Sequence, residues 1–214
     1  LASEPLDGSV SGPGATIRAT ARAIAKVDGA ASVVLVEGIS DQIALETSAV
    51  GRGRDLDAER VVILPIGGAH AISRYLTRLG PQGAGMRLAG LCDLREEAMF
   101  RRELVATGVG SPRTRADMEQ LGFYVCVDDL EDELIRAVGG AAGVEALLDS
   151  LGDLELFRTM QNQPAWRGRE PEAQVRRFLV SISRRRLRYT RLLAEAAVAR
   201  DTVARPLDAL LSAV

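Results

Sequence analysis

The feature that most constrains this chain is a set of four short, unbroken apolar runs, each followed by a helix-patterned stretch. The runs are "ASVVLVE" (31–37), "RVVILPI" (60–66), "MRLAGLC" (86–92) and "GFYVCV" (122–127). A strand with one wet face alternates apolar and polar residues, whereas a continuous apolar run needs cover on both faces. The intervening segments supply that cover: "SDQIALETSAV" with Ser40 as its N-cap, "AHAISRYLTRL" after Gly67-Gly68, "LREEAMFRRELVATG" and "DDLEDELIRAV". A helix, "ATIRATARAIAKV", precedes the first strand. The fold expected is α/β, a mostly parallel four-stranded Rossmann-like sheet flanked by helices. Beyond about Gly140 the strand signal stops. "VEALLDSLGDLELFRTMQ" and "EAQVRRFLVSISRRRLRYTRLLAEAAVA" each read as helix, with a loop over "QNQPAWRGREPEA". The expected division is a flexible lead-in (1–14), an α/β domain with its leading helix (15–139) and a helical C-terminal region (140–214).

Composition narrows the chemistry. No apolar run in the 214 residues is long enough to span a bilayer, and no basic-then-apolar leader opens the chain, so a cytoplasmic protein without membrane partners is expected. Cys92 and Cys126 lack metal or redox spacing and read as buried packing residues, and His70 is the sole histidine, a poor basis for a zinc site or a Ser-His-Asp triad. Charge is segregated along the chain. Nine acids face Arg136 alone between Asp128 and Leu156, whereas eleven arginines face Glu170, Glu172 and Glu195 between Phe157 and Arg200.

The acids fall at strand ends. Glu37 ends the first strand, Asp93 the third, and Asp128 and Asp129 the fourth, with Glu131 and Glu133 in the next helical turn. Ligands of open parallel sheets bind at the carboxyl ends of the strands. Carboxylates gathered there need a compensating cation, and an all-oxygen set suits magnesium or manganese. Taken singly, Asp41, Asp128 and Asp129 also read as acids favouring a helix N-terminus. Arg177, Arg184, Arg188 and Arg191 fall near one helical face, with an apolar stripe at 178, 182, 189 and 193. That face reads either as a phosphate-tracking surface or as counter-charge to the acidic region before it. Trp166, Phe178 and Tyr189 are candidates for base stacking or for the core.

These residues resemble a known family. "VVLVEGISDQIAL" is similar to the first motif of a TOPRIM domain, "LAGLCDLRE" falls at its D-x-D motif, and "YVCVDDLEDELI" and "LPIGGAHAI" resemble OLD-type (overcoming lysogenization defect) segments. The resemblance covers roughly Ala31 to Ala137, and "QNQPAWRG" and "SRRRLRYTRLLAEA" look like the helical part that follows in OLD-type proteins. It implies a Mg2+- or Mn2+-dependent DNA endonuclease or nickase. Glu37, Asp41 and Asp93 would hold a first ion, and Asp129, Glu131 and Glu133 a second position. Glu37, Asp93 and Arg186 would be catalytic, and Arg177, Arg184, Arg185, Arg188 and Arg191 would bind nucleic acid. Two departures stand out. Arg95 occupies the second acid of D-x-D, and Glu96 or Glu97, at a different helical angle, are the acids that could compensate. The chain also has no G-x-x-x-x-G-K-[ST] loop, so an ATPase function is not expected of it. The alternative implied is a TOPRIM module of weak or no turnover that binds nucleic acid or a separate ATPase partner. A homodimer is compatible with either.

Overall fold

The computed structural model describes residues 14–214; all but the last residue of the expected lead-in lies outside them. In chain order the elements are α1 (Ala15–Val27), β1 (Ser32–Val36), α2 (Ile39–Gly51), β2 (Val61–Pro65), α3 (Ile72–Leu79), β3 (Arg87–Cys92), α4 (Glu97–Ala106), α5 (Arg115–Gln120), β4 (Phe123–Val125) and α6 (Leu130–Ala137). Five helices follow: α7 (Gly140–Ser150), α8 (Leu154–Gln161), α9 (Pro171–Val180), α10 (Ser183–Ala199) and α11 (Arg205–Ala213). The four strands form one parallel sheet in the order β2-β1-β3-β4.

The strands are buried because both faces are covered. Val34 and Val36 of β1 face one apolar cluster, shared with α2, α6 and the C-terminal helices. Val33 and Leu35 face the other, shared with α1, α3 and α4. Helix α3 shows the expected spacing, burying Ile72, Tyr75, Leu76 and Leu79. Pro65, which has no N–H, is tolerated because β2 is an edge strand, and the Thr20 hydroxyl donates to its carbonyl at 2.6 Å. Gly90 is required by a close approach: a Cβ there would stand 2.8 Å from the Phe123 ring and 3.0 Å from the Leu35 carbonyl oxygen.

Several boundaries differ from expectation. The first cap is at Gly38, not Ser40, with the Asp41 carboxylate accepting from the Gly38 N–H. The long arginine-rich helix is two helices. The Ser181 hydroxyl donates to the Phe178 carbonyl, Ile182 turns extended and 56% exposed, and α10 starts afresh at Ser183. The apolar stripe is therefore not continuous: Phe178, Tyr189 and Leu193 are buried, and Ile182 is not. Gly152, in the left-handed region at φ 73°, likewise separates α7 from α8. Helices α5 and α11 were not expected, and the loop between α8 and α9 is shortened because Pro171 opens α9.

Candidate metal centre

The carboxyl ends of β1 and β3 place Glu37 and Asp93 side by side. The Glu37 carbonyl accepts from the Gly68 N–H at 3.0 Å, fixing the chain as it leaves β1. Gly67 and Gly68 can make that turn because their φ angles are 81° and 111°, open to glycine and strained for other residues. After β3 the chain does not enter an α-helix directly. Residues Leu94–Glu96 form a 3-10 turn, and the Leu94 N–H donates to the Asp128 carbonyl at 2.9 Å, tying this exit to that of β4. The turn folds Glu96 back toward Asp93, whose carbonyl accepts from the Glu96 N–H at 3.1 Å.

Glu37, Asp93 and Glu96 each contribute a carboxylate oxygen to a group whose members lie within 4.8 Å of one another. One carboxylate oxygen of Glu96, Oε2, is buried with no hydrogen-bond partner among the described residues. A buried acceptor left unpaired is costly, and a cation would satisfy it. The donor set, all carboxylate oxygen, fits a hard divalent ion such as Mg2+ or Mn2+.

The surrounding cleft, about 390 Å3, is lined by Glu37, Asp41, Asp93, Glu131, Arg186 and the Gly67-Gly68 turn. Burial is the chief reason its acids hold protons tightly. It pushes Asp41 up to about 7, aided by Glu37 and Glu131 and opposed by the Gly38 N–H. It pushes Asp93 up to about 7, aided by Asp41, Glu37, Glu96 and Glu131. Glu37 is raised as well, by burial and then by Glu96. Arg186 partly offsets this: its Nε donates to Glu131 at 2.6 Å, leaving both terminal amino groups without an acceptor among the described residues. A larger cavity, about 620 Å3, opens between α1, α2 and β2 and contains none of these acids.

Residues 30–94 match the family model "Overcoming lysogenization defect protein-like, TOPRIM domain". This segment is similar to an OLD-like TOPRIM domain. Solved structures extend the fold likeness over the helical region. The C-terminal region of the Burkholderia pseudomallei OLD protein superposes with a TM-score of 0.59 at 18% identity, over 86% of this chain and 98% of that one. The C-terminal region of the Xanthomonas campestris pv. campestris OLD protein, phased with platinum, gives 0.54 at 22%, over 88% and 97%. No curated protein matches the chain. The TOPRIM match ends at Leu94, so the positions of Glu96, Glu131 and Arg186 rest on the structure.

Of the residues expected at the TOPRIM site, the structure brings Glu37, Asp41, Asp93, Glu131 and Arg186 to one cleft. Asp41 serves two ends, lining it and capping α2. Asp129 and Glu133 have other partners. Asp129 caps α6 through the Asp132 N–H and is gripped by both terminal amino groups of Arg176. Glu133 is buried, accepting from the Val127 N–H at 2.7 Å and pairing with Arg136 at 3.0 Å. Of the two acids that could compensate for Arg95, Glu96 joins the group because it lies in a 3-10 turn and not on an α-helix; Glu97, which begins α4, pairs instead with Arg115.

The arginines also separate. Arg188 pairs with Asp153 and Arg191 with Glu195, both at 2.8 Å. Arg177 lies over the Trp166 ring, Arg185 lies over Phe178, and Arg184 is exposed. Phe178 and Tyr189 belong to the core at 1% exposure, which removes them as base-stacking groups. No helix among the described residues is long and apolar enough to cross a membrane.

Proposed function

We propose that the chain is a divalent-metal-dependent phosphodiesterase that nicks or cleaves DNA. The observation that carries this reading is the convergence of Glu37, Asp93 and Glu96 within 4.8 Å, one acid with an unpartnered buried oxygen, beside an arginine with free donors. Glu37, Asp93 and Glu96 hold Mg2+ or Mn2+, and Asp41 and Glu131 border a second ion position. The bound ion supplies Lewis-acid stabilisation of the charge that develops at phosphorus and lowers the pKa of an attacking water. Arg186 keeps its Nε on Glu131 and offers its terminal amino groups to the non-bridging phosphate oxygens. Because arginine stays protonated, its part is charge stabilisation and positioning, not proton transfer. Asp41 holds the Gly38 N–H and so fixes the turn that presents Glu37.

Relaxation of supercoiled plasmid in the presence of Mg2+ or Mn2+ tests this. Native protein is expected to give nicked circles, and Glu37→Gln none. Equal nicking by the two proteins would sink the proposal. A second reading, a module of weak turnover acting with nucleic acid or a separate ATPase, is favoured by Arg95 in place of the second D-x-D acid. It predicts metal-dependent stabilisation and DNA binding without nicking.

A further inference from the structure

The arginines between Phe157 and Arg200 divide by partner. Arg158, Arg176, Arg186, Arg188 and Arg191 each face a carboxylate within 4 Å. Arg167, Arg169, Arg177, Arg184, Arg185 and Arg200 face none among the described residues; Arg200, after α10, donates to the Val138 carbonyl, and the other five lie in the α8–α9 loop, on α9 or in the first turn of α10. Glu170 and Glu172 are the only acids between residues 162 and 185, so this surface keeps a positive balance.

Sequence neighbours and ring contacts lead from the cleft to Arg185, Arg177 and Trp166. Arg186 lines the cleft. Its neighbour Arg185 lies 4.5 Å above the Phe178 ring and donates to the Ser181 hydroxyl at 2.8 Å. Arg177, adjacent to Phe178, lies 5.8 Å above the partly buried Trp166 ring. The loop carrying Trp166 is held in place by buried Gln174, which donates to the Trp166 carbonyl at 2.7 Å and accepts from Gln161 at 2.8 Å. A planar cation is thus held within cation–π reach of an indole in a pinned loop, which lowers the ordering cost of binding.

We propose that Trp166 and Arg177 form a stacking shelf for an unpaired base, and that Arg184 and Arg185 hold the phosphates linking that base to the cleft. The ligand is single-stranded DNA, and the inference deepens the DNA-cleavage reading, on which it rests, by naming the substrate form. A stacking plane can receive a base only where the base is out of a duplex, whose own stack is closed to side chains. Arginine and aromatic planes beside a cationic track are the elements by which proteins hold single strands without reading sequence.

Trp166 is the single tryptophan, so its emission reports on this shelf alone. The native chain is titrated in EDTA, where no cleavage occurs, with a 12-nucleotide dT strand and a 12-base-pair duplex, and binding is followed separately by anisotropy of the labelled DNA. The expected result is quenching by the dT strand and not by the duplex. Arg177→Ala, a surface change, should weaken dT binding by about fivefold or more and flatten its salt dependence. Arg158→Gln, which removes a neutralised arginine, should leave it unchanged. Binding of dT without quenching, equal quenching by the duplex, no binding of dT, or an Arg177→Ala chain that binds as native would each overturn the shelf. Failed nicking with intact quenching removes the cleavage reading and leaves the shelf. Nicking without quenching does the reverse.

Discussion

Replacing Asp93 by Asn should stabilise the metal-free protein, and only where the acid would be ionised. Burial and the neighbouring carboxylates raise Asp93 from 3.8 to about 7. The folded state therefore holds this proton more tightly than the unfolded chain does. Stability falls as pH rises from about 4 towards 7, and the cost is complete above that. A carboxyl carrying the whole shift would cost at most about 4 kcal/mol when ionised. Asp93 opens onto a wet cleft, and solvent screening reduces this to about 1–2 kcal/mol. In a chain of this size that corresponds to roughly 3–6 °C in Tm. Thermal melts at pH 8 in EDTA should show Asp93→Asn melting higher by that amount, and melts at pH 3, below both the folded and the unfolded pKa, should show the two proteins alike. Millimolar Mg2+ at pH 8 should reverse the order, because binding to the folded state stabilises the native chain and the variant lacks a ligand. A lower Tm for the variant at pH 8 in EDTA, or the same shift at both pH values, would refute this account of the cluster.

Other outcomes follow from particular contacts. Glu96→Gln should weaken Mg2+ binding by at least about tenfold, measured as the metal-induced Tm shift, whereas Glu97→Gln, which loses only pairs to Arg101 and Arg115, should leave it unchanged. Gly90→Ala should destabilise the fold by about 1–3 kcal/mol in urea unfolding, because the new methyl is forced against Phe123 and the Leu35 carbonyl. Thr114→Ala removes the acceptor of the Asp117 N–H and should cost about 1 kcal/mol in the same assay.

Much of the fold was legible because the strands are uninterrupted apolar runs, a pattern that admits few architectures. Glu37 and Asp93 stood out for the same reason: each follows directly on such a run. What was lost was local. The 3-10 turn after β3 depends on the tie between Leu94 and the Asp128 carbonyl, a partner far along the chain, and without it spacing alone does not choose Glu96 over Glu97. Asp129 and Glu133 carry the right chemistry, but their oxygens are engaged by Arg176, Arg136 and backbone N–H groups, and sequence spacing does not reveal such pairings. The break at Ser181–Ile182 carries no proline or glycine. Helices α5 and α11, absent from the sequence expectation, do carry local signals: the box Thr114-x-x-Asp117 and the spacing of Leu207, Leu210 and Leu211.

The strand order β2-β1-β3-β4 has a consequence for how the protein comes into being. No two neighbouring strands are joined by a hairpin; every pairing must wait for a crossover helix or a whole intervening strand. Such non-local pairing folds slowly. During synthesis the central strand β1 and its Glu37 emerge long before β3 brings Asp93 and Glu96, and the chain must reach α10 before Arg186 joins Glu131. The cleft is therefore among the last features to take shape, and any chain that binds the metal has already brought its distant segments together.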